Sequence, residues 1–166
     1  MWGGIVGEDG YITLGSSTFP FDSDALNAQG GTIMHQDYFG GPRECDGVEN
    51  VPQRTLTHEL GHAFGLWHVF HGVDETEECG DCYEYSMNHV YDGDDNSDVR
   101  GDMCSDTYGT PTNMECSDPE EEDCDGDEFV NTPLNNFLNY TPDNCMIQFT
   151  EQQAGRMNAW IEYTLS

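Results

Sequence analysis

The chain of 166 residues contains no lysine, and its only cationic side chains besides histidine are Arg43, Arg54, Arg100 and Arg156. Against them stand 33 aspartates and glutamates, which gives a formal charge of −29 at pH 7. Phosphate binding needs clustered Lys and Arg, so this balance argues against nucleic acid as a partner. Anionic membranes are disfavoured for the same reason. No apolar run approaches ~18 residues, so no segment reads as a bilayer-spanning helix. The start, Met1-Trp2-Gly3-Gly4, lacks a basic region followed by a long apolar stretch. A mature chain or an excised fragment is therefore expected rather than a precursor with its leader.

Regular periodicity is also scarce. Tyr11–Leu14 and Gly31–His35 are short β-branched and aromatic runs bounded by turn residues. Residues 51–65 carry Leu56, Leu60, Ala63 and Phe64 at helical spacing, with Asn50 and Gln53 as a capping box and Gly65 as the stop. Residues 149–165 read as a second helix, capped by Thr150 with Gln153. Ala154, Met157, Trp160 and Ile161 form its apolar face. Between them, residues 70–135 are acidic and sustain neither period, which predicts a long loop fixed by bridges and ions. The chain is expected to form one domain, an N-terminal part over 1–68 and a C-terminal part over 69–166.

Cysteine, by contrast, is plentiful. Cys45, Cys79, Cys82, Cys104, Cys116, Cys124 and Cys145 lie mostly in the loop-like half. Loops without regular structure gain stability from disulfides, and those persist in oxidising compartments, so a secreted, extracellular protein is expected. Cys79 and Cys82 alternatively suggest a zinc site, but no second pair at such spacing accompanies them. The acidity is compatible with solubility or with calcium, which prefers carboxylate and carbonyl oxygens.

The stretch from Thr57 to His68 is the most informative. It reads His58-Glu59-Leu60-Gly61-His62-Ala63-Phe64-Gly65-Leu66-Trp67-His68. On a helix His58 and His62 leave the same face one turn apart and can share a zinc ion. Gly65 lets the backbone reverse through a positive φ, so that His68 arrives as a third ligand. Three neutral imidazoles leave a fourth position for water, the pattern of a catalytic site. Glu59, beside the metal without ligating it, is placed to act as general base on that water in peptide hydrolysis. Five fixed positions make a chance match improbable, on the order of 10⁻⁴ in a chain of this length. His35, His71 and His89 lack ligand spacing and read as surface or packing residues.

The eleven-residue zinc sequence resembles that of the metzincin clan of metalloproteases. Within it the chain looks most like the pappalysin family. Leu14–Phe21, Gly31–His35 with Phe39-Gly40, Arg54–Thr57, Gly101–Thr107 and Asn136–Tyr140 carry the likeness. Asp143, Cys145-Met146, Phe149-Thr150, Gln153 and Arg156-Met157 extend it. The resemblance implies an α+β, metzincin-like zincin: a small twisted mixed sheet with an antiparallel edge strand near 31–36 for extended substrate, a zinc helix beneath it, and a loop-rich C-terminal half stabilised by disulfides and calcium and ending in a helix. It implies a zinc endopeptidase with a protein or peptide substrate and no membrane insertion. It further implies a calcium site at Asp102, Asp106 and Thr107, an oxyanion role for the Tyr140 hydroxyl, and bridges Cys116–Cys145 and Cys104–Cys124. Cys79–Cys82 could close a local loop, which leaves Cys45 over. Some family members favour a basic residue after the cut.

Two departures stand out. Where the clan places methionine in the turn under the zinc, this chain has Leu138, of similar volume; Met146 has the wrong spacing to Tyr140. The chain also starts after the strands and backing helix that open the family's catalytic domain, so a compact variant or a fragment is expected. Two other functions compete. One is a catalytically silent, calcium-stabilised binding module of the same fold, against which the retained Glu59 argues. The other is a zinc hydrolase of a different amide or ester.

Overall fold

The structure is a computed structural model and describes residues 13–35, 54–76, 84, 86 and 100–166. Strand β1 (Gly15–Ser17) pairs antiparallel with β2 (Thr32–Met34), in the register Gly15 with Met34, Ser16 with Ile33 and Ser17 with Thr32. Among the described residues this pair is the whole sheet, antiparallel where a mixed sheet was expected. The Ser17 and Thr32 hydroxyls add a cross-strand hydrogen bond of 2.8 Å.

Helix α1 (Thr55–Ala63) packs against both strands. It begins later than the expected residue 51, with Arg54 at its N-cap; the Asn50–Gln53 capping box lies outside the described residues. Its C-terminus is a Schellman turn. The Gly65 N–H bonds the His62 carbonyl at 2.8 Å, and the Leu66 N–H bonds the Gly61 carbonyl at 3.0 Å. Gly65 takes the left-handed conformation, φ +89°. A β-carbon there would stand 2.2 Å from Trp160 Cδ1, so the same glycine also admits the second helix.

A five-residue π-helical turn, His71–Glu75, follows. Such turns insert an extra residue and re-aim side chains, often at functional sites. Helix α2 (Glu151–Leu165) closes the chain with the capping box expected for it. The Gln153 N–H donates to Thr150 Oγ1, and the Gln153 side chain accepts from the Thr150 N–H.

Leu66, Val69, Phe70 and Leu138 form the core, with Phe137, Phe149 and Met157 against it. Leu138 is fully buried. It sits directly beneath α1, so close that a β-carbon on Gly61 would meet its Cδ2 at 2.8 Å. A second apolar layer is aromatic: Phe19 packs on Trp67, and Phe21 packs on both Trp67 and Trp160. It ties the loop after β1 to the turn after α1 and to α2.

Residues 100–135 are mostly turns. Cys116 and Cys145 are bridged, with α-carbons 6.1 Å apart, which joins this loop to the segment before α2. Cys104 is a buried thiol that takes no part in a disulfide, whereas Cys124 is disulfide-bonded, so the expected Cys104–Cys124 bridge is corrected. Pairing follows the path of the folded chain, which spacing does not fix. Cys45, Cys79 and Cys82, and with them the Cys79–Cys82 loop, also lie outside the described residues, as does His89.

Candidate active site

α1 projects His58 and His62 from one face, and the Gly65 turn returns the chain so that His68 meets them. The three Nε2 atoms lie 3.1, 3.1 and 3.0 Å apart. The partners of the opposite ring nitrogens assign the tautomers. His58 Nδ1 donates to the Phe137 carbonyl at 2.7 Å, His62 Nδ1 to the Leu66 carbonyl at 2.8 Å, and His68 Nδ1 to Glu75 Oε1 at 2.7 Å. With each proton on Nδ1, each Nε2 carries a bare lone pair. Three lone pairs at such separations repel one another and cannot hydrogen-bond among themselves; a shared cation resolves the conflict.

The donor set fits zinc. Three neutral imidazole nitrogens this close together are a donor set that zinc would take, and His58, His62 and His68 would hold it. Among the described residues these histidines are the sole group of three or more that could ligate a metal. Burial, and then the neighbouring imidazoles, lower the His58 pKa to about 3; the same causes lower His62 to about 4. Both rings are therefore neutral near pH 7 and ready to ligate without first losing a proton.

Glu59 stands beside the trio and is 6% exposed. Its Oε2 is buried without a hydrogen-bond partner. Burial pushes its pKa up to about 7, and a hydrogen bond from Ser17 offsets this only in part. A carboxylate with an unmet acceptor and a pKa near neutrality can accept a proton and give it back. β1 presses on Glu59 so closely that a β-carbon on Gly15 would stand 2.7 Å from its Cγ.

The site opens into a cleft of about 960 Å³. One wall is the stretch Thr13–Ser17, so β1, and not the strand near 31–36, is the strand at the cleft. The expectation is corrected because β1 lies between β2 and the cavity. Tyr140 also lines the cleft, its ring 4.9 Å from that of His68 and 4.8 Å from that of Phe70. Burial, then the Glu75 and Glu59 carboxylates, raise its pKa and keep the phenol protonated.

Sequence patterns did not single out Ser17, Glu75 or His71, or the carbonyls of Phe137 and Leu66. Glu75 accepts from both His68 and His71; burial pushes its pKa up, but these two bonds outweigh that and set it at about 2. No periodic signal points to such a residue, seven positions past a ligand across a π turn.

The expected calcium residues lie in the loop under α2. Asp102, 3% exposed, accepts from the Thr107 hydroxyl at 2.6 Å and the Cys104 N–H at 3.0 Å, both through Oδ1, and from Gln153 Nε2 at 3.3 Å through Oδ2. Burial pushes its pKa up to about 7. Asp106 instead binds the start of α2, accepting from the Thr150 hydroxyl and the Gln152 N–H. Asp102 and Asp106 thus turn to different partners. The Asp123–Glu128 loop folds around Asp123, which accepts from the N–H groups of Asp125, Asp127 and Ser86; residues 92–96 lie outside the described set. Gln153 also accepts from Asn136 Nδ2 at 2.8 Å, and Asn136 accepts from the Leu138 N–H at 2.9 Å. One buried polar chain therefore runs from Asp102 to the turn beneath the histidines.

Three imidazoles that require a cation, and a protonatable carboxylate in the same cleft, are the equipment of a zinc metalloprotease. The family model for pregnancy-associated plasma protein-A, peptidase family M43, matches residues 38–162, and the chain belongs to that family of pappalysin-type metalloproteases. Human pappalysin-1 is 34% identical over 151 residues, which cover 89% of this chain and 8% of that protein. An extracellular metalloprotease of the fungus Colletotrichum graminicola is 26% identical, covering 93% of this chain and 44% of its own length. Among solved structures, mature mirolysin of Tannerella forsythia in complex with a cleaved peptide superimposes with a TM-score of 0.58 at 27% identity, covering 92% of this chain and 47% of that one. The chain thus spans less than half the length of each of these relatives.

Proposed function

We propose that this chain is a secreted zinc endopeptidase in which Glu59 is the general base. The convergence of three lone-pair nitrogens beside the unpartnered Oε2 of Glu59 carries this reading. His58, His62 and His68 hold the metal; zinc bound there supplies Lewis-acid polarisation of the scissile carbonyl and acidification of water. Glu59 takes the proton of the attacking water and delivers it to the leaving amine, a transfer that its pKa of about 7 suits in both directions. Tyr140, whose ring packs against those of His58 and His68, offers its phenolic proton to the developing oxyanion.

Substrate lies along β1. The Leu14 carbonyl and Thr18 N–H point at β2, so the alternation of an antiparallel ladder turns the backbone groups of Gly15 and Ser17 the other way. An extended peptide can add there as a strand. The acidic chain favours cationic peptides. Secretion is supported by the Cys116–Cys145 bridge and by relatives named as extracellular. Calcium at Asp102, Asp106 and Thr107, the site the family resemblance implies, accompanies this proposal: these side chains offer the hard oxygen donors that calcium takes.

The test is digestion of an unfolded protein substrate, its loss on chelation and its return with added zinc. A preparation that binds one zinc per chain and cleaves nothing would reduce the reading to a binding module.

A further inference from the structure

Glu75 binds two imidazoles at once, one on each carboxylate oxygen: Oε1 accepts from His68 Nδ1 at 2.7 Å and Oε2 from His71 Nδ1 at 3.0 Å. The three ligand histidines differ in how they are held. His58 and His62 donate to backbone carbonyls, which the fold fixes. His68 alone donates to a side chain, and that side chain is one-third exposed. A carboxylate so placed would rotate among its rotamers unless something held its other oxygen. His71 does so. Its ring stacks on Trp67 at 4.3 Å with 14° between the planes, and Trp67 is packed against the stacked pair Phe19 and Phe21. The π turn His71–Glu75 brings the carboxylate back over both rings.

We propose that Glu75 and His71 are positioning residues that hold His68 in its metal-binding tautomer and orientation, and thereby set the zinc affinity of the site. The inference rests on the zinc reading above. Glu75 fixes the proton on Nδ1 and, being anionic, makes the Nε2 lone pair more basic than a carbonyl partner would. His71 keeps Glu75 from turning to solvent.

The experiment measures the zinc dissociation constant of the whole chain by competition with a chromophoric chelator, alongside the melting midpoint of the metal-free protein. Glu75→Ala is expected to weaken zinc binding about 10–100-fold, the usual loss when such a partner of a ligand is removed. Glu75→Gln keeps an acceptor of the same shape without the charge and should recover part of that loss. His71→Phe keeps the stack on Trp67, removes the second donor, and should lose a smaller share of the affinity. The metal-free midpoints should stay near that of the wild type. Wild-type affinity in Glu75→Ala, or no recovery in Glu75→Gln, overturns the proposal alone. So does a loss of affinity matched by an equal fall of the metal-free midpoint in both Glu75 variants. A wild-type chain that binds no zinc overturns the zinc reading together with it.

Discussion

Replacing Gly65 with alanine perturbs two things that the structure separates. The residue sits at φ +89°, where a β-carbon costs about 1–2 kcal/mol. That β-carbon would also stand 2.2 Å from Trp160 Cδ1, which forces an overpacking shift of about 1–3 kcal/mol. Together these give about 2–5 kcal/mol, or roughly 4–20 °C in melting midpoint for a chain of this size. The steric part should fall away when Trp160 is truncated. A double-mutant cycle of Gly65→Ala with Trp160→Ala should therefore show a favourable coupling of about 1–3 kcal/mol, while the φ penalty persists. Thermal or denaturant unfolding reads all four corners. Because the turn delivers His68, Gly65→Ala should also weaken zinc binding. A midpoint within about 2 °C of the wild type would refute the reasoning for Gly65 as both turn and contact.

Leu138→Ala should destabilise the chain by about 2–5 kcal/mol, because the side chain is fully buried beneath α1, whereas Leu138→Met should cost under about 1.5 kcal/mol; equal costs in denaturant unfolding would contradict the role as a packed base. Removing the Cys116–Cys145 bridge, whose ends are 29 residues apart, should cost about 3–4 kcal/mol by loop-closure entropy, and an unchanged midpoint after Cys116→Ser with Cys145→Ser would refute this. In calcium-free protein, Asp102 binds a proton in the folded chain and not in the unfolded one between its usual pKa of ~3.9 and its folded value of about 7, so its contribution to stability falls as pH rises across that window and is flat above it. Added calcium should raise the melting midpoint at pH 7.5 in the wild type and not in Asp102→Asn; a wild-type midpoint indifferent to calcium removes the calcium proposal.

The parts of the site that sequence made legible are those fixed by local geometry. Helical spacing places His58 and His62 on one face, and only glycine suits the φ that returns His68. Thr150 and Gln153 signal their capping box three residues apart. The parts it did not make legible depend on tertiary packing. Residues 11–14 and 31–35 have the same short β-rich character, so nothing in their composition says that the strand after the first, rather than the second, faces the cleft. Gly15 and Ser17 reach Glu59 across the sheet–helix contact. Glu75 meets His68 across a π turn whose insertion has no periodic signature, and its partner His71 read as a plain packing residue. Gln153 read as a cap, yet it also links Asp102 to the turn residue Asn136. Cys104 shows the same limit for disulfides, because connectivity is a property of the folded path.

The most direct measurement compares wild type and Glu59→Ala for cleavage of an unfolded protein substrate at equal, measured zinc content. Glu59 does not ligate the metal, so the variant should retain one zinc per chain while its cleavage rate falls by about 10²-fold or more. Equal rates in the two zinc-loaded proteins would contradict the account at its centre.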